Sequence, residues 1–431
     1  MQYRAFNFSS FSKSKYANNL SDKELKELEL VSHILPFKVN NYILDELIDW
    51  NNKETDPMFN LYFFNKHMLH SEQLNLLQYS YYNTQTIEEK NEIIKQIRGE
   101  LNPHPAKQMT ANVPILNNKR IKGLQHKYKE TCLIFPKAGQ TCHSYCTFCF
   151  RWAQFIGDDD QKFYTDSSGL HIEYIKKNKE ITDLLFTGGD PMIMSIPKLK
   201  EIISPFLGKE FDHIKNIRIG TKSIVNFPYK YVNDKETSEL LSFFENIIKS
   251  GKHLSIMAHI NHWIEMESDA FKTAIKNIRN TGAEIRTQSP ILNNINDNSD
   301  IWIKMWQQQV KLGLIPYYMF IERETGAEKY FNIPLFKAFN IFKDAYKQVS
   351  GLCKTVKGPS MSAIPGKIVI DGVIKIEDKK YFVLNFLQAR NPDWIKQPFL
   401  AEYDETSTWL FQLNPYGGKF FFMDELEKMV A

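Results

Sequence analysis

Three cysteines, Cys142, Cys146 and Cys149, stand in the run Cys142-His143-Ser144-Tyr145-Cys146-Thr147-Phe148-Cys149-Phe150-Arg151. Thiolates at this C-x3-C-x2-C spacing can converge on one soft metal centre, and cysteine ligation is how iron–sulfur clusters are held. A four-iron cluster takes four ligands, and no other cysteine lies near in sequence. One iron is therefore left for a ligand that is not protein. A zinc site would need a fourth Cys or His at comparable spacing, and His143, between two of the cysteines, is poorly placed to share their metal. Cys132 and Cys353 are isolated and read as small buried hydrophobes. Five cysteines with three clustered do not make a disulfide framework, which points to a reducing cytoplasm.

A loop of this kind needs a frame. From about residue 131 short apolar strands alternate with helical patterns. Strands are predicted over Cys132–Phe135, Asp183–Phe186, Ile217–Ile219, Leu254–Ala258, Glu284–Thr287 and Ile315–Ile321. Helices are predicted over His171–Lys179, Pro197–Leu207, Lys235–Ser250, Ala270–Thr281, Asp300–Leu312 and Pro334–Val349. Successive βα units demand a parallel sheet with helices outside it. The first strand lacks the glycine fingerprint of a dinucleotide fold, so a partial (β/α)6 TIM-like barrel is the expected fold class. In such barrels chemistry collects at the carboxyl ends of the strands. There the chain places the cysteine run, Thr187-Gly188-Gly189-Asp190-Pro191, Gly220-Thr221-Lys222, His259, Asn261 and His262, Gln288-Ser289-Pro290, and Glu322-Arg323-Glu324. The two glycines of Gly188-Gly189-Asp190-Pro191 either make a tight turn or let the backbone approach a ligand closely.

Residues 1–120 read as a helical extension. Ser21-Asp22-Lys23-Glu24 is a capping box ahead of a helix closed by Pro36, and Ile87–Ile97 is a second helical run stopped near Gly99 and Pro103. Tyr62, Phe63, Phe64, Tyr79, Tyr81 and Tyr82 are expected in its core. Residues 121–350 form the barrel, and residues 351–431 a C-terminal, β-containing segment. The latter opens on a loop of small residues, Gly358 to Lys367. A hairpin, Lys367–Ile370 with Val373–Ile376, is expected to turn at Asp371-Gly372, with Lys380–Phe386 as a third strand. Its aromatic tail either packs on the barrel or serves a subunit interface.

The 431 residues carry 54 Lys and Arg against 50 Asp and Glu, a formal charge of +4 spread along the chain. That balance does not suggest nucleic acid. No apolar run approaches the length needed to cross a bilayer, and no apolar signal region follows Met1.

The cysteine run, followed after the next strand by Gly188-Gly189-Asp190-Pro191, resembles the radical S-adenosylmethionine superfamily. More narrowly, the chain is similar to the lysine 2,3-aminomutase family. The similar pieces are Gly123-Leu124-Gln125-His126-Lys127-Tyr128, Ser144-Tyr145-Cys146, Leu185 to Pro191, Ile217-Arg218-Ile219-Gly220-Thr221, His259-Ile260-Asn261-His262, Gln288-Ser289, Asn296-Asp297, Pro316-Tyr317-Tyr318 and Pro365-Gly366-Lys367. They run in order through roughly residues 120 to 370.

The resemblance implies a [4Fe-4S] cluster on Cys142, Cys146 and Cys149 whose open iron is chelated by S-adenosyl-L-methionine. Reduction by a low-potential flavodoxin- or ferredoxin-type donor would then give a 5′-deoxyadenosyl radical. It implies pyridoxal 5′-phosphate holding the substrate amine as an imine while nitrogen migrates from Cα to Cβ. Gly188, Gly189, Asp190, Pro191, His259 and Gln288 would touch these cofactors. Lys367 would be the imine-forming lysine, Tyr128 would lie beside the pyridoxal ring, and Arg151 would clamp the substrate carboxylate, a guanidinium fork suiting a carboxylate. Family habit adds a homo-oligomer.

The departures bear on substrate. The phosphate-binding arginine pair of the family is here Lys127 and Thr131, which leaves one charge missing. The two acids that would pair with the distal ammonium of lysine fall on Arg323 and Ser360. Two carboxylates lost and a cation gained argue for an acidic or polar amino acid such as glutamate. Glu322 and Glu324 flank Arg323, so a slip of one residue would restore a carboxylate. The competing readings are another radical rearrangement or oxidation of an amino acid, and a non-catalytic iron–sulfur or zinc protein.

Overall fold

The computed structural model describes residues 1–83, 86–102, 110–157, 162–165 and 169–430, apart from the Tyr82 side chain. Pro103 and the Tyr82 side chain, both invoked above, lie outside the described residues.

One sheet of eleven strands organises the chain. Its strands, labelled along the sequence, are β1 (Leu124–Tyr128), β2 (Thr131–Ile134), β3 (Asp183–Phe186), β4 (Asn216–Thr221), β5 (His253–His259), β6 (Glu284–Ile291), β7 (Ile315–Ile321), β8 (Lys357–Ser362), β9 (Gly366–Ile376), β10 (Lys379–Ala389) and β11 (Phe399–Glu402). Each pairs with its neighbours in the sequence, so strand order equals chain order. Strands β2 to β8 run parallel. Strand β1 pairs antiparallel at one edge, and β9, β10 and β11 continue antiparallel at the other.

Six helices make the parallel crossovers: α1 (Leu170–Lys177), α2 (Ile196–Ile203), α3 (Thr237–Lys249), α4 (Asp269–Asn280), α5 (Ser299–Lys311) and α6 (Leu335–Lys347). The apolar stripe of each faces the sheet, as Ala270, Phe271, Ala274, Ile275 and Ile278 do in α4. The predicted strands and helices therefore form, with ends shifted by a few residues. Three expectations change. The small-residue stretch after Lys357 is not a loop but β8, a seventh parallel strand, because Gly358 and Ser360 fit against Met319 of β7. The turn expected at Asp371-Gly372 is a bulge inside β9; the chain turns at Glu377-Asp378, with Glu377 at φ 53°. Among the aromatics, Tyr79 and Tyr81 are 63% and 39% exposed instead of buried, whereas Tyr62, Phe63 and Phe64 are core.

Two apolar cores result. One spans the sheet, its helices and the C-terminal aromatics Trp394, Phe399, Trp409, Phe420 and Phe422. Those rings pack on β10 and β11 around Phe386, although Phe411 and Phe421 stay exposed. The other core gathers the N-terminal segment, whose helix Asp22–Ser32 carries the predicted Ser21–Glu24 capping box, together with Phe148 and Trp152 from the cysteine loop. Among the described residues no helix is long and apolar enough to cross a membrane.

Candidate active site

Strand alternation builds the site. In β4 the residues Ile217, Ile219 and Thr221 are buried toward the helices, while Arg218 and Gly220 face the other way. The same period puts Leu133, Leu185, Met257, His259, Gln288, Pro290, Tyr318 and Phe320 on one concave face. With Phe148, Phe150, Arg151, Thr187, Ile321, Glu322, Arg323, Ser362 and Lys367 they line a cavity of about 230 Å³ at the carboxyl ends of the strands.

The cysteine loop closes one side and is held from two directions. From the N-terminal segment, the amide of Tyr145 donates to the Lys38 carbonyl (2.8 Å) and that of Thr147 to the Leu61 carbonyl (3.0 Å). Lys38 Nζ donates to the Cys142 carbonyl (2.7 Å), Tyr3 Oη to the His143 carbonyl (2.8 Å) and Asn40 Nδ2 to Ser144 Oγ (2.9 Å). From the barrel, the Asp190 amide donates to the Gly139 and Thr141 carbonyls at 3.0 and 2.8 Å. A Cβ on Gly189 would stand 2.6 Å from the Thr141 backbone, so the close approach this glycine permits is to the cysteine loop itself. The Asp190 carboxylate is turned inward, accepting from Thr221 Oγ1 at 2.6 Å and from the amides of Met192 and Lys222 at 2.9 Å.

The chemistry of the donor set fits a cluster. Cys142, Cys146 and Cys149 are free thiols. Burial, and for each the charge of a neighbouring cysteine or acid, pushes all three up: Cys146 to about 12, Cys149 to about 11, and Cys142 well above its usual range. Three mutually repelling thiolates call for a strongly cationic centre between them. Among the described residues no three His, Cys, Asp or Glu side chains converge tightly enough for a single ion, whereas a four-iron cube spreads its thiolates over separate irons.

The cavity also carries cations, one of them, Arg151, from the cysteine loop itself. Arg151 stacks on Phe135 at 4.3 Å and on Phe150 at 5.2 Å, and Arg323 lies over the other reach of Phe150 at 5.3 Å. Arg323 Nη2 donates to the Ser362 carbonyl at 3.1 Å. Lys367 Nζ stands 3.8 Å from the centre of the Tyr318 ring, which it faces together with Phe320. Burial, with Arg218 and Lys357 nearby, lowers its pKa to about 7. Arg218 is paired with Asp183 at 2.7 Å. Glu322, the acid of the lining, is raised to about 8 by burial and so is largely protonated at neutral pH.

Of the residues singled out in the sequence, Arg151, His259, Gln288, Arg323 and Lys367 come together in the lining. Tyr128 stands behind it, hydrogen-bonded to Ser362 and within electrostatic reach of Arg323. Ser360 is fully buried, its hydroxyl on the Met319 carbonyl (3.3 Å), and it is Ser362 that lines the cavity. Thr131 is buried at the start of β2. Lys222 and Asn261 serve the rim rather than the cavity: Lys222 Nζ pairs with Glu265 at 2.5 Å and donates to Asn261 Oδ1 at 2.8 Å, and Asn261 Nδ2 donates to Ser289 Oγ at 2.9 Å. Sequence reasoning did not single out Arg218, Met257 or Tyr318 as lining, although counting by twos from Gly220, His259 and Phe320 reaches all three.

No family model matches the chain. A relative from Aquifex aeolicus (strain VF5), named "Putative L-lysine 2,3-aminomutase", is 30% identical over 380 residues, which cover 88% of this chain and 88% of that protein. Glutamate 2,3-aminomutase of Clostridioides difficile (strain 630) is 28% identical over 211 residues, 49% of this chain and 47% of its own. L-lysine 2,3-aminomutase of Acetoanaerobium sticklandii is 29% identical over 234 residues, 54% of this chain and 53% of its own. Among solved structures, Streptococcus suis SuiB bound to the precursor peptide SuiA covers 66% of this chain and 64% of its own at 12% identity, with a TM-score of 0.36.

Proposed function

Since the chain belongs to the lysine 2,3-aminomutase family of radical S-adenosylmethionine enzymes, we propose that it is a 2,3-aminomutase acting on an amino acid with a second carboxylate, such as glutamate. The observation that carries the substrate reading is the pair of guanidiniums, Arg151 and Arg323, set over one Phe150 ring in the cavity that also holds Lys367. One fork would take the α-carboxylate and the other the distal one. Glu322 in its protonated form offers no counter-charge to a distal ammonium.

Members of the family use a [4Fe-4S] cluster, S-adenosylmethionine and pyridoxal phosphate; bound here, they would supply a carbon radical and a carbonyl that holds the migrating amine. Cys142, Cys146 and Cys149 would hold three irons. Gly188, Gly189, Asp190 and Pro191 would back the ligand of the fourth iron, with His259 and Gln288 at its rim. Lys367 would offer a neutral amine to the carbonyl, because burial and, after it, the charge on Arg218 disfavour its own. Tyr128 would flank the ring from β1. Leu133, Phe148, Leu185 and Met257 supply apolar walls that keep water from a reactive centre. We read β2 to β7 with α1 to α6 as the six units of a partial (β/α)6 barrel, extended by β8, with β10 coming round against β1. The electron would come from a low-potential flavodoxin or ferredoxin type of donor, and the working form is a cytoplasmic homo-oligomer.

The test is a panel of L-amino acids given to anaerobically reconstituted protein with S-adenosylmethionine, pyridoxal phosphate and a strong reductant, with β-amino products resolved by mass spectrometry. Turnover of L-glutamate with none of L-lysine is expected. Conversion of L-lysine alone would sink the acidic-substrate reading and bring Glu322 forward as the distal partner. Oxidised or otherwise rearranged product would favour a different radical reaction on the same scaffold.

A further inference from the structure

The family's second phosphate-holding arginine has no counterpart at Thr131, yet the structure brings a cation to the same end of the cavity from far along the chain. Arg390 follows β10 directly and reaches back across the open side of the sheet to β1. Its Nε donates to the Ile364 carbonyl at 2.9 Å, its Nη1 to the Ala111 carbonyl at 3.2 Å, and its Nη2 to Asn112 Oδ1. Lys127, on β1, donates through Nζ to the Ala363 carbonyl. Both side chains thus meet at the loop between Ser362 and Gly366, the loop that leads into Lys367.

What these two groups lack is an anion. Each of these hydrogen-bond partners is a neutral oxygen. Among the described residues neither forms an ion pair within 4.0 Å. The charges that act on Lys127 are Arg390, Arg323 and Lys367, all cationic. Those that act on Arg390 reduce to the Tyr128 phenol. Lys127 and Arg390, withdrawn from bulk water at one short loop with no carboxylate among the described residues acting on either, are a costly arrangement unless something negative joins them. The buried lysines elsewhere have an acid within electrostatic reach: Lys222 pairs with Glu265, Lys230 lies near Glu236, Asp234 and Asp190, and Lys252 near Asp212. The exception is therefore local.

We propose that Lys127 and Arg390, from opposite edges of the sheet, form the subsite for the phosphate of pyridoxal phosphate, with Arg390 supplying the charge absent at Thr131. This rests on the cofactor reading given above. The geometry agrees with the other placements: Lys367, which would bind the carbonyl end, and Tyr128, which would flank the ring, lie within electrostatic reach of Lys127 and of Arg390 respectively. A phosphate monoester brings three charged acceptor oxygens to donors that otherwise meet only neutral ones, and a guanidinium fork can serve two of them at once.

The experiment compares pyridoxal phosphate with pyridoxal, which lacks the phosphate, by absorbance and fluorescence titration of wild-type protein, R390Q, R390K and K127Q. The expected result is a loss of about tenfold or more in affinity for pyridoxal phosphate in R390Q and K127Q, with pyridoxal binding unchanged. R390K, which keeps the charge but not the fork, should retain most of the preference for the phosphorylated form. Inorganic phosphate should compete with pyridoxal phosphate in the wild type and much less in R390Q. Wild-type protein that binds pyridoxal phosphate no better than R390Q does would overturn this assignment alone. So would equal losses for both ligands, which would make Arg390 a strut for the loop. Wild-type protein that takes up neither ligand would overturn the cofactor reading, and this assignment with it.

Discussion

The two ends of the cavity are built on opposite principles. At the cysteine end the loop backbone is anchored by protein: its carbonyls accept from Tyr3, Lys38 and Asn40, and the carboxylate of Asp190 is saturated, while Gln140 Oε1 and His143 Nδ1 are buried without a partner among the described residues. Behind it, Lys222 is neutralised by Glu265. At the lysine end Lys127, Lys367 and Arg390 face neutral oxygens, aromatic rings and one another. On the proposed reading the first end would receive its inorganic group in a cradle that the protein has already built. The second is left electrostatically incomplete, which is stability given up where anionic ligands are to bind.

That contrast can be broken most severely by separating the two halves of the chemistry. Cys146→Ala should abolish iron retention and cleavage of S-adenosylmethionine while leaving pyridoxal phosphate bound; Lys367→Ala should do the reverse, with visible cofactor absorbance lost and reductive cleavage kept. If either substitution removed both signals, the ends would not be independent. Next in size is a pair of charge removals with opposite sign. Lys222→Met strands Glu265 and should cost about 3–5 kcal/mol in urea unfolding. Lys127→Met relieves crowding among cations and should leave the cofactor-free protein unchanged or up to about 1 kcal/mol more stable. Destabilisation by both would remove the distinction.

Arg323→Gln sharpens the comparison on the substrate side. It should raise the KM for a dicarboxylic substrate by roughly ten- to a hundredfold, the range of a charged hydrogen bond, with little change for a monocarboxylic one. The smallest effect is in pH. Lys367 faces Arg218 from β4, Lys357 from β8, Lys127 from β1 and the Tyr318 ring from β7. Its amine is charged below about 7 in the folded protein and neutral above. Borohydride trapping of pyridoxal phosphate on Lys367 should therefore rise as pH passes upward through about 7. Between that value and the ordinary lysine pKa the unfolded chain holds a proton that the folded one has lost, so stability gains with pH across the same window. A trapping profile centred near 10 would remove the perturbed lysine.

Much of the frame could be read from local pattern, because a parallel strand buried on both faces announces itself as a short apolar run. Asp183–Phe186 and Ile315–Ile321 have the bounds expected of them. The cysteine loop was legible because type and spacing carry its chemistry, and the family resemblance singled out Arg151 and Lys367, which the fold brings into one cavity. What escaped was decided across the fold. Gly358 to Ser362 looks like a loop by composition and becomes a strand only because Met319 lies against it. Asp371-Gly372 has turn chemistry, but the pairing of β9 with β10 absorbs it as a bulge. Arg390 could not be connected to Lys127 by any local rule, since the two meet only when the far edge of the sheet swings round to the near one.

The identity of strand order and chain order has a consequence for synthesis. As the chain leaves the ribosome, each strand finds the edge it pairs with already made, with nothing downstream to wait for. The N-terminal cradle, the cysteine loop and the Asp190 turn that splints it all emerge before β4 is complete. Lys367 and Arg390 come only with the last three strands. On the proposed reading, iron could be inserted into a nascent chain whose cavity is still open on one side, and the organic cofactor would be received last, by the segment that shuts it.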